Sequence, residues 1–109
     1  MKPSITIYEA NANPVALSEI CAGLEEEGML YEVIKTSNYG VKTLAHNAAN
    51  HSSLRVGIGI NQESAALQIK NLPTDKPIFT IEIGSYQAYP CCRSLGTNAA
   101  RAVKGNKFV

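Results

Sequence analysis

The chain has 109 residues, of which 45% are apolar and 17% charged, and its formal net charge is +1, as is typical of soluble globular domains. The basic residues are scattered along the chain, so they provide no electrostatic field that would attract nucleic acid. No apolar run approaches the ~20 residues that cross a bilayer and no signal-peptide core is present, so one cytoplasmic domain without a membrane partner is predicted over residues 1–109.

The first predicted elements are a strand and a helix. Residues 4–8 place isoleucines at alternating positions among β-favouring residues, which indicates a strand. Asn13 can cap a helix, and Pro14 suits the first helical position, where a missing N–H costs nothing. Apolar residues then recur at helical spacing up to Leu24, and Gly28 is placed to end the helix in a left-handed conformation.

The remaining elements are predicted by the same criteria of periodicity, turn residues and helix ends. Residues 84–96 are weakly patterned, so a loop is predicted there, ahead of a short last helix that Gly105 closes. The second helix is expected to begin at Tyr39 and Gly40. The predicted bounds are 30–34 (strand), 39–50 (helix), 55–60, 65–69 and 78–83 (strands), and 97–104 (helix).

The order β-α-β-α-β-β-β-α predicts the fold class. Strands that alternate with helices favour a sheet with parallel members at its centre and helices on its faces. We therefore expect a three-layer α/β/α architecture with a mixed, partly parallel sheet. Gly57 and Gly59 lie within a predicted strand and leave one of its faces bare, so another element should pack closely against them.

The thiols and imidazoles form no recognisable site in the sequence. Cys91 and Cys92 are adjacent, which argues against a disulfide framework, and His46 and His51 lack the spacing of a zinc site. A thiolate next to Arg93 could act as a nucleophile. Nothing in the sequence brings a base to it, however, and a thiol without a chemical role is the favoured interpretation.

A run of three carboxylates, Glu25, Glu26 and Glu27, stands in the last turn of the first predicted helix. Helix carbonyls already concentrate negative charge there, so each exposed carboxylate should cost roughly 0.3 to 1 kcal/mol. Local rules tend to be broken where a partner compensates, and a cation or a partner's arginine would relieve the repulsion. From spacing alone, a solvated acidic helix end is the favoured interpretation.

Several stretches together resemble one family along nearly the whole chain. They are residues 23–28 (GLEEEG), 54–58 (LRVGI), 69–73 (IKNLP), 77–79 (PIF) and 97–105 (TNAARAVKG), followed by Phe108. Their order and spacing match the small, β subunit of the reactivases of adenosylcobalamin-dependent diol and glycerol dehydratases. The stretches around residues 35–40 and 83–95 depart from the family pattern, so contacts made there are not carried over.

The resemblance implies a chaperone-like role without catalysis. It implies a complex with a large ATPase subunit, two copies of each, in which the large subunit holds Mg and ADP or ATP. The complex would release damaged cobalamin from an inactivated dehydratase of propanediol or glycerol metabolism, by exchanging subunits with it. It further implies that Glu26 reaches the magnesium of the large subunit, with Glu25 and Glu27 as interface candidates. No catalytic or cofactor-binding residue is predicted in this chain.

Two alternatives remain open from the sequence. The chain could be a structural medium or small subunit of the dehydratase itself, although those subunits are expected to be longer at the N-terminus. It could also be a small enzyme that uses Cys91 or Cys92 as nucleophile. The resemblance is compatible with a propanediol or a glycerol enzyme as the client, and for the propanediol system it allows a bacterial microcompartment as the location.

Overall fold

The computed structural model describes residues 2–37 and 40–109. The predicted order of strands and helices is confirmed, while the predicted role of Tyr39 at the start of a helix falls outside the described residues. None of the helices described is both long and apolar enough to cross a membrane. The elements are β1 (Ile5–Ala10), α1 (Pro14–Glu26), β2 (Tyr31–Lys35), α2 (Val41–His51), β3 (Val56–Asn61), β4 (Ser64–Ile69), β5 (Phe79–Glu82) and α3 (Ala88–Lys104).

The five strands form one mixed sheet in the order β2-β1-β3-β4-β5. Strand β1 is parallel to both of its neighbours, and Ile7 lies opposite Val33 on β2 and Ile58 on β3. Strand β4 pairs antiparallel with β3, and β5 pairs antiparallel with β4. The parallel part arises because helices connect β1 to β2 and β2 to β3, whereas a two-residue turn joins β3 to β4 and a nine-residue loop joins β4 to β5 in the antiparallel part.

Helices cover both faces of the sheet, as predicted. On one face, α1 and α3 bury the main core, where Ile20 and Leu95 pack with Ile58. On the other face α2 lies directly against the two glycines of β3. A Cβ atom on Gly57 would stand 2.1 Å from the amide nitrogen of Ala49, and one on Gly59 would stand 2.5 Å from that of Ala45. The two glycines thus allow a close approach between α2 and the sheet.

The ends of α1 are set by local signals in the sequence. The side chain of Asn13 accepts hydrogen bonds from the amides of Val15 and Ala16, both at 3.0 Å, so the predicted N-cap is confirmed. Pro14 is the first helical residue. At the other end Glu27 is the C-cap, and Gly28 adopts a φ of +69°, the left-handed conformation that glycine tolerates best.

The prediction for the last helix was wrong at its start. α3 begins at Ala88, so most of the loop predicted over residues 84–96 is helical. Pro90 lies in the first turn, where backbone N–H groups have no intrahelical acceptor, and it is therefore compatible with the helix. Cys92, Leu95 and Ala99 are buried at helical spacing, but their pattern is weak because two of them are small. The predicted end of α3 at Lys104 is confirmed.

Candidate partner interface

Helices α1 and α3 run in the same direction and touch along their backbones. A Cβ atom on Gly23 of α1 would stand 2.2 Å from the carbonyl oxygen of Arg93, and one on Gly96 of α3 would stand 2.0 Å from that of Ile20. Only glycine at these two positions permits so short a distance between the backbones of the two helices. The crossing fixes which residues of α3 lie beside the carboxylates of α1.

The three glutamates of the acidic run point to three different surroundings. Glu25 is exposed and accepts a hydrogen bond from the hydroxyl of Tyr31, an interaction that raises the pKa of Tyr31 well above its usual range. Glu27 is half-buried and lies 3.3 Å from the Nζ of Lys104. Glu26 is exposed, with 60% of its side chain accessible. Successive helix positions point about 100° apart, so one ion cannot be faced by all three.

Arg93 of α3 joins two glutamates of α1. Its Nε donates to Glu19 Oε1 at 2.9 Å, and its Nη1 donates to Glu26 Oε2 at 3.0 Å. The guanidinium of arginine presents several donors in a planar fork, so one side chain can bind two carboxylates. Neither Glu19 nor Arg93 was singled out as a site residue from the sequence.

Charge compensation at the end of α1 comes from within the chain. The sequence favoured a solvated acidic helix end and left an external cation or a partner's arginine as the alternative, whereas in the structure α3 supplies the compensation. Besides Arg93, Lys104 donates to the backbone carbonyl of Glu27 at 2.7 Å, and Arg101 Nη2 lies 3.8 Å from the Glu27 carboxylate. Repulsion by the helix dipole therefore gives no independent support for a partner at this position, whereas the exposure of Glu26 leaves its carboxylate accessible to one.

Glu26 has the chemistry of a single shared metal ligand. Across residues 2–37 and 40–109 no donor contacts its Oε1, while its Oε2 is held by Arg93. Magnesium prefers carboxylate oxygen, keeps several waters and is commonly bound by one or two carboxylates plus substrate phosphates. In the described part of the chain no three metal-ligating side chains come together. An exposed carboxylate of this kind can supply one ligand to such an ion.

The cysteines do not form a nucleophilic site in the described structure. Cys91 is exposed, whereas Cys92 is fully buried, and burial, with smaller contributions from Cys91 and Glu19, raises the pKa of the Cys92 thiol to about 11. The Cys92 thiol is therefore protonated at neutral pH. Both histidines belong to α2, on the opposite face of the sheet from α3, so neither is placed to serve as a base.

Comparisons with known proteins agree along the whole chain. The sequence model of the dehydratase medium subunit family matches residues 2–109. The chain is 37% identical to the propanediol dehydratase-reactivating factor small subunit of Citrobacter freundii, covering 97% of this chain and 90% of that protein. It is 34% identical to the diol dehydratase-reactivating factor small subunit of Klebsiella michiganensis, covering 97% of this chain and 83% of that protein.

Solved structures give the same result. A chain in the structure of diol dehydratase-reactivating factor complexed with ADP and Mg²⁺ matches with a TM-score of 0.91 at 32% identity, covering 100% of this chain and 99% of that one. A glycerol dehydratase reactivase chain matches with a TM-score of 0.90 at 31% identity, covering 99% and 97%. The resemblance found in the sequence is thereby confirmed. The chain belongs to the dehydratase medium subunit family, and it is similar over its full length to the small subunits of dehydratase-reactivating factors.

Proposed function

We propose that this chain is the small, non-catalytic subunit of an ATP-dependent factor that releases damaged cobalamin from an inactivated diol or glycerol dehydratase. The observation that carries the proposal is the whole-chain similarity, in sequence and in fold, to proteins named as reactivating factor small subunits. This similarity favours the reactivating function over that of a structural dehydratase subunit, although the family model that matches the chain is described as the dehydratase medium subunit. The buried Cys92 and the distant histidines argue against a thiol enzyme.

In this proposal the chain works through a detachable interface with a large ATPase subunit, in a complex with two copies of each. Mg and ADP or ATP belong to the large subunit. The dehydratase competes with this chain for the same surface of the large subunit, so that one displaces the other. Such exchange requires an interface that is specific but can be separated, which suits exposed polar groups at the end of a helix better than an extended apolar surface.

The exchange can be tested by gel filtration of the large subunit, this chain and an inactivated dehydratase. We expect the dehydratase to release this chain from the large subunit as its concentration rises. A stable complex of all three proteins, with unchanged pairwise affinities, would contradict the exchange. Parallel experiments with propanediol and glycerol dehydratases identify the client. Fractionation of the native host, followed by detection of this chain in each fraction, shows whether it lies free in the cytoplasm or in a bacterial microcompartment.

Glu26 is the residue through which the interface reaches the nucleotide site of the large subunit. Its carboxylate is exposed and one of its oxygens has no donor within the described chain, so it can bind magnesium without losing an existing hydrogen bond. Glu25 and Glu27 border this contact. Glu27 is less suited to bind the ion, because Lys104 already occupies its carboxylate.

The test is the affinity of Glu26→Gln for the large subunit with and without magnesium. The substitution keeps the size of the side chain and removes its charge. Loss of a charged contact from a desolvated interface costs about 2 to 5 kcal/mol, whereas a contact on a solvated rim costs little. We expect a loss of this size with magnesium and a much smaller one without it. Glu25→Gln is the matched control, and wild-type binding by Glu26→Gln in both conditions would refute the assignment.

A further inference from the structure

Three positions on one face of α1 lie under a single residue of α3. Glu19, Gly23 and Glu26 are spaced i, i+4 and i+7, so they form one stripe along the helix. Gly23 stands between the two carboxylates and contacts the backbone of Arg93. From this position the side chain of Arg93 reaches Glu19 with one nitrogen and Glu26 with another.

The arginine is itself held in place from two sides. Its carbonyl oxygen lies against Gly23 and also accepts a hydrogen bond from the hydroxyl of Thr97 at 3.1 Å. Its Nε is bound to Glu19, the less exposed of the two carboxylates, with 30% of the side chain accessible against 60% for Glu26. The guanidinium is therefore held at Glu19 through its Nε, and its Nη1 donates to Glu26.

The charges of Glu19, Glu26 and Arg93 together favour binding of a cation by Glu26. A lone guanidinium beside Glu26 would repel a metal ion. Here the positive charge of Arg93 is balanced by Glu19, so the three groups together carry a net charge of −1. The negative charge remains available at the exposed end of the stripe, where Glu26 Oε1 has no donor among residues 2–37 and 40–109.

We propose that Arg93 is a positioning residue, which holds the carboxylate of Glu26 in the orientation that meets the large subunit's magnesium. This inference rests on the proposed function of Glu26. A free glutamate at a helix end samples several rotamers, and binding must then immobilise it. Fixing one oxygen in the folded chain removes part of that cost.

The experiment measures binding of Arg93→Met to the large subunit, with and without magnesium, in wild-type and Glu26→Gln backgrounds. Methionine keeps much of the length and apolar stem of arginine and cannot donate to either glutamate. We expect binding about three- to tenfold weaker with magnesium, from the immobilisation cost above, and nearly unchanged without it. In the Glu26→Gln background the same substitution should have no further effect, because there is no carboxylate to position.

The double-mutant comparison separates the possible outcomes. Equal weakening of binding in both backgrounds means that Arg93 only joins the helices, and this result overturns the proposal. Unchanged or tighter magnesium-dependent binding by Arg93→Met overturns it as well. If Glu26→Gln itself binds like wild type, the proposed function of Glu26 fails first and independently. Arg93→Lys should recover only part of the affinity, since an ammonium lacks the fork that joins two carboxylates. Urea unfolding of each variant confirms that the fold is retained.

Discussion

Replacing Gly96 with alanine should force α1 and α3 apart. The added Cβ atom would stand 2.0 Å from the carbonyl oxygen of Ile20 and 3.2 Å from the amide nitrogen of Leu24, and neither backbone atom can rotate away. Overpacking in a core costs typically 1–3 kcal/mol, and rigid backbone contacts place this site near the upper end. Alanine recovers about 1 kcal/mol of helix propensity over glycine. The free energy of unfolding should therefore fall by about 2 kcal/mol.

Urea unfolding followed by far-ultraviolet circular dichroism measures this loss directly. Gly84→Ala is the matched control, because a Cβ atom there meets nothing within 4 Å, and its effect should stay within about 0.5 kcal/mol. Separation of the helices should also lengthen the contact between Arg93 and Glu26, so Gly96→Ala should bind the large subunit more weakly. A Gly96→Ala variant as stable as wild type, or more stable, would refute the close-contact argument.

Two further predictions concern stability. Asn13→Ala removes the acceptor for two amides at the start of α1 and should lower the free energy of unfolding by about 1 kcal/mol, whereas an unchanged urea midpoint would contradict the cap. The buried Cys92 keeps its proton in the folded chain up to about pH 11, while the unfolded thiol loses it near pH 9. Wild type should therefore lose stability relative to Cys92→Ala as pH rises through this window, and a constant difference would refute the assignment.

Local signals were enough to predict most of the architecture. Asn13, Pro14 and Gly28 mark the ends of α1 because caps and left-handed conformations depend on the residue itself and its near neighbours. Gly57 and Gly59 predicted a close neighbour for β3, which proved to be α2. The order of elements then favoured a mixed sheet, because helical connections place strands parallel and short turns place them antiparallel. The acidic run also marked the exposed helix end that contains the candidate interface.

The start of α3 could not be read in the same way. Pro90 and Gly96 interrupt a helical pattern when they are considered locally, yet one occupies a tolerant first turn and the other serves a contact with α1. Because the predicted helix began too late, Arg93 fell in a loop and its two carboxylate partners were missed. The sequence by itself determined the elements, their order and the position of Glu26. Only the tertiary structure decided which charges meet, because residues 19, 26 and 93 are brought together by a backbone contact between two helices that are distant in sequence.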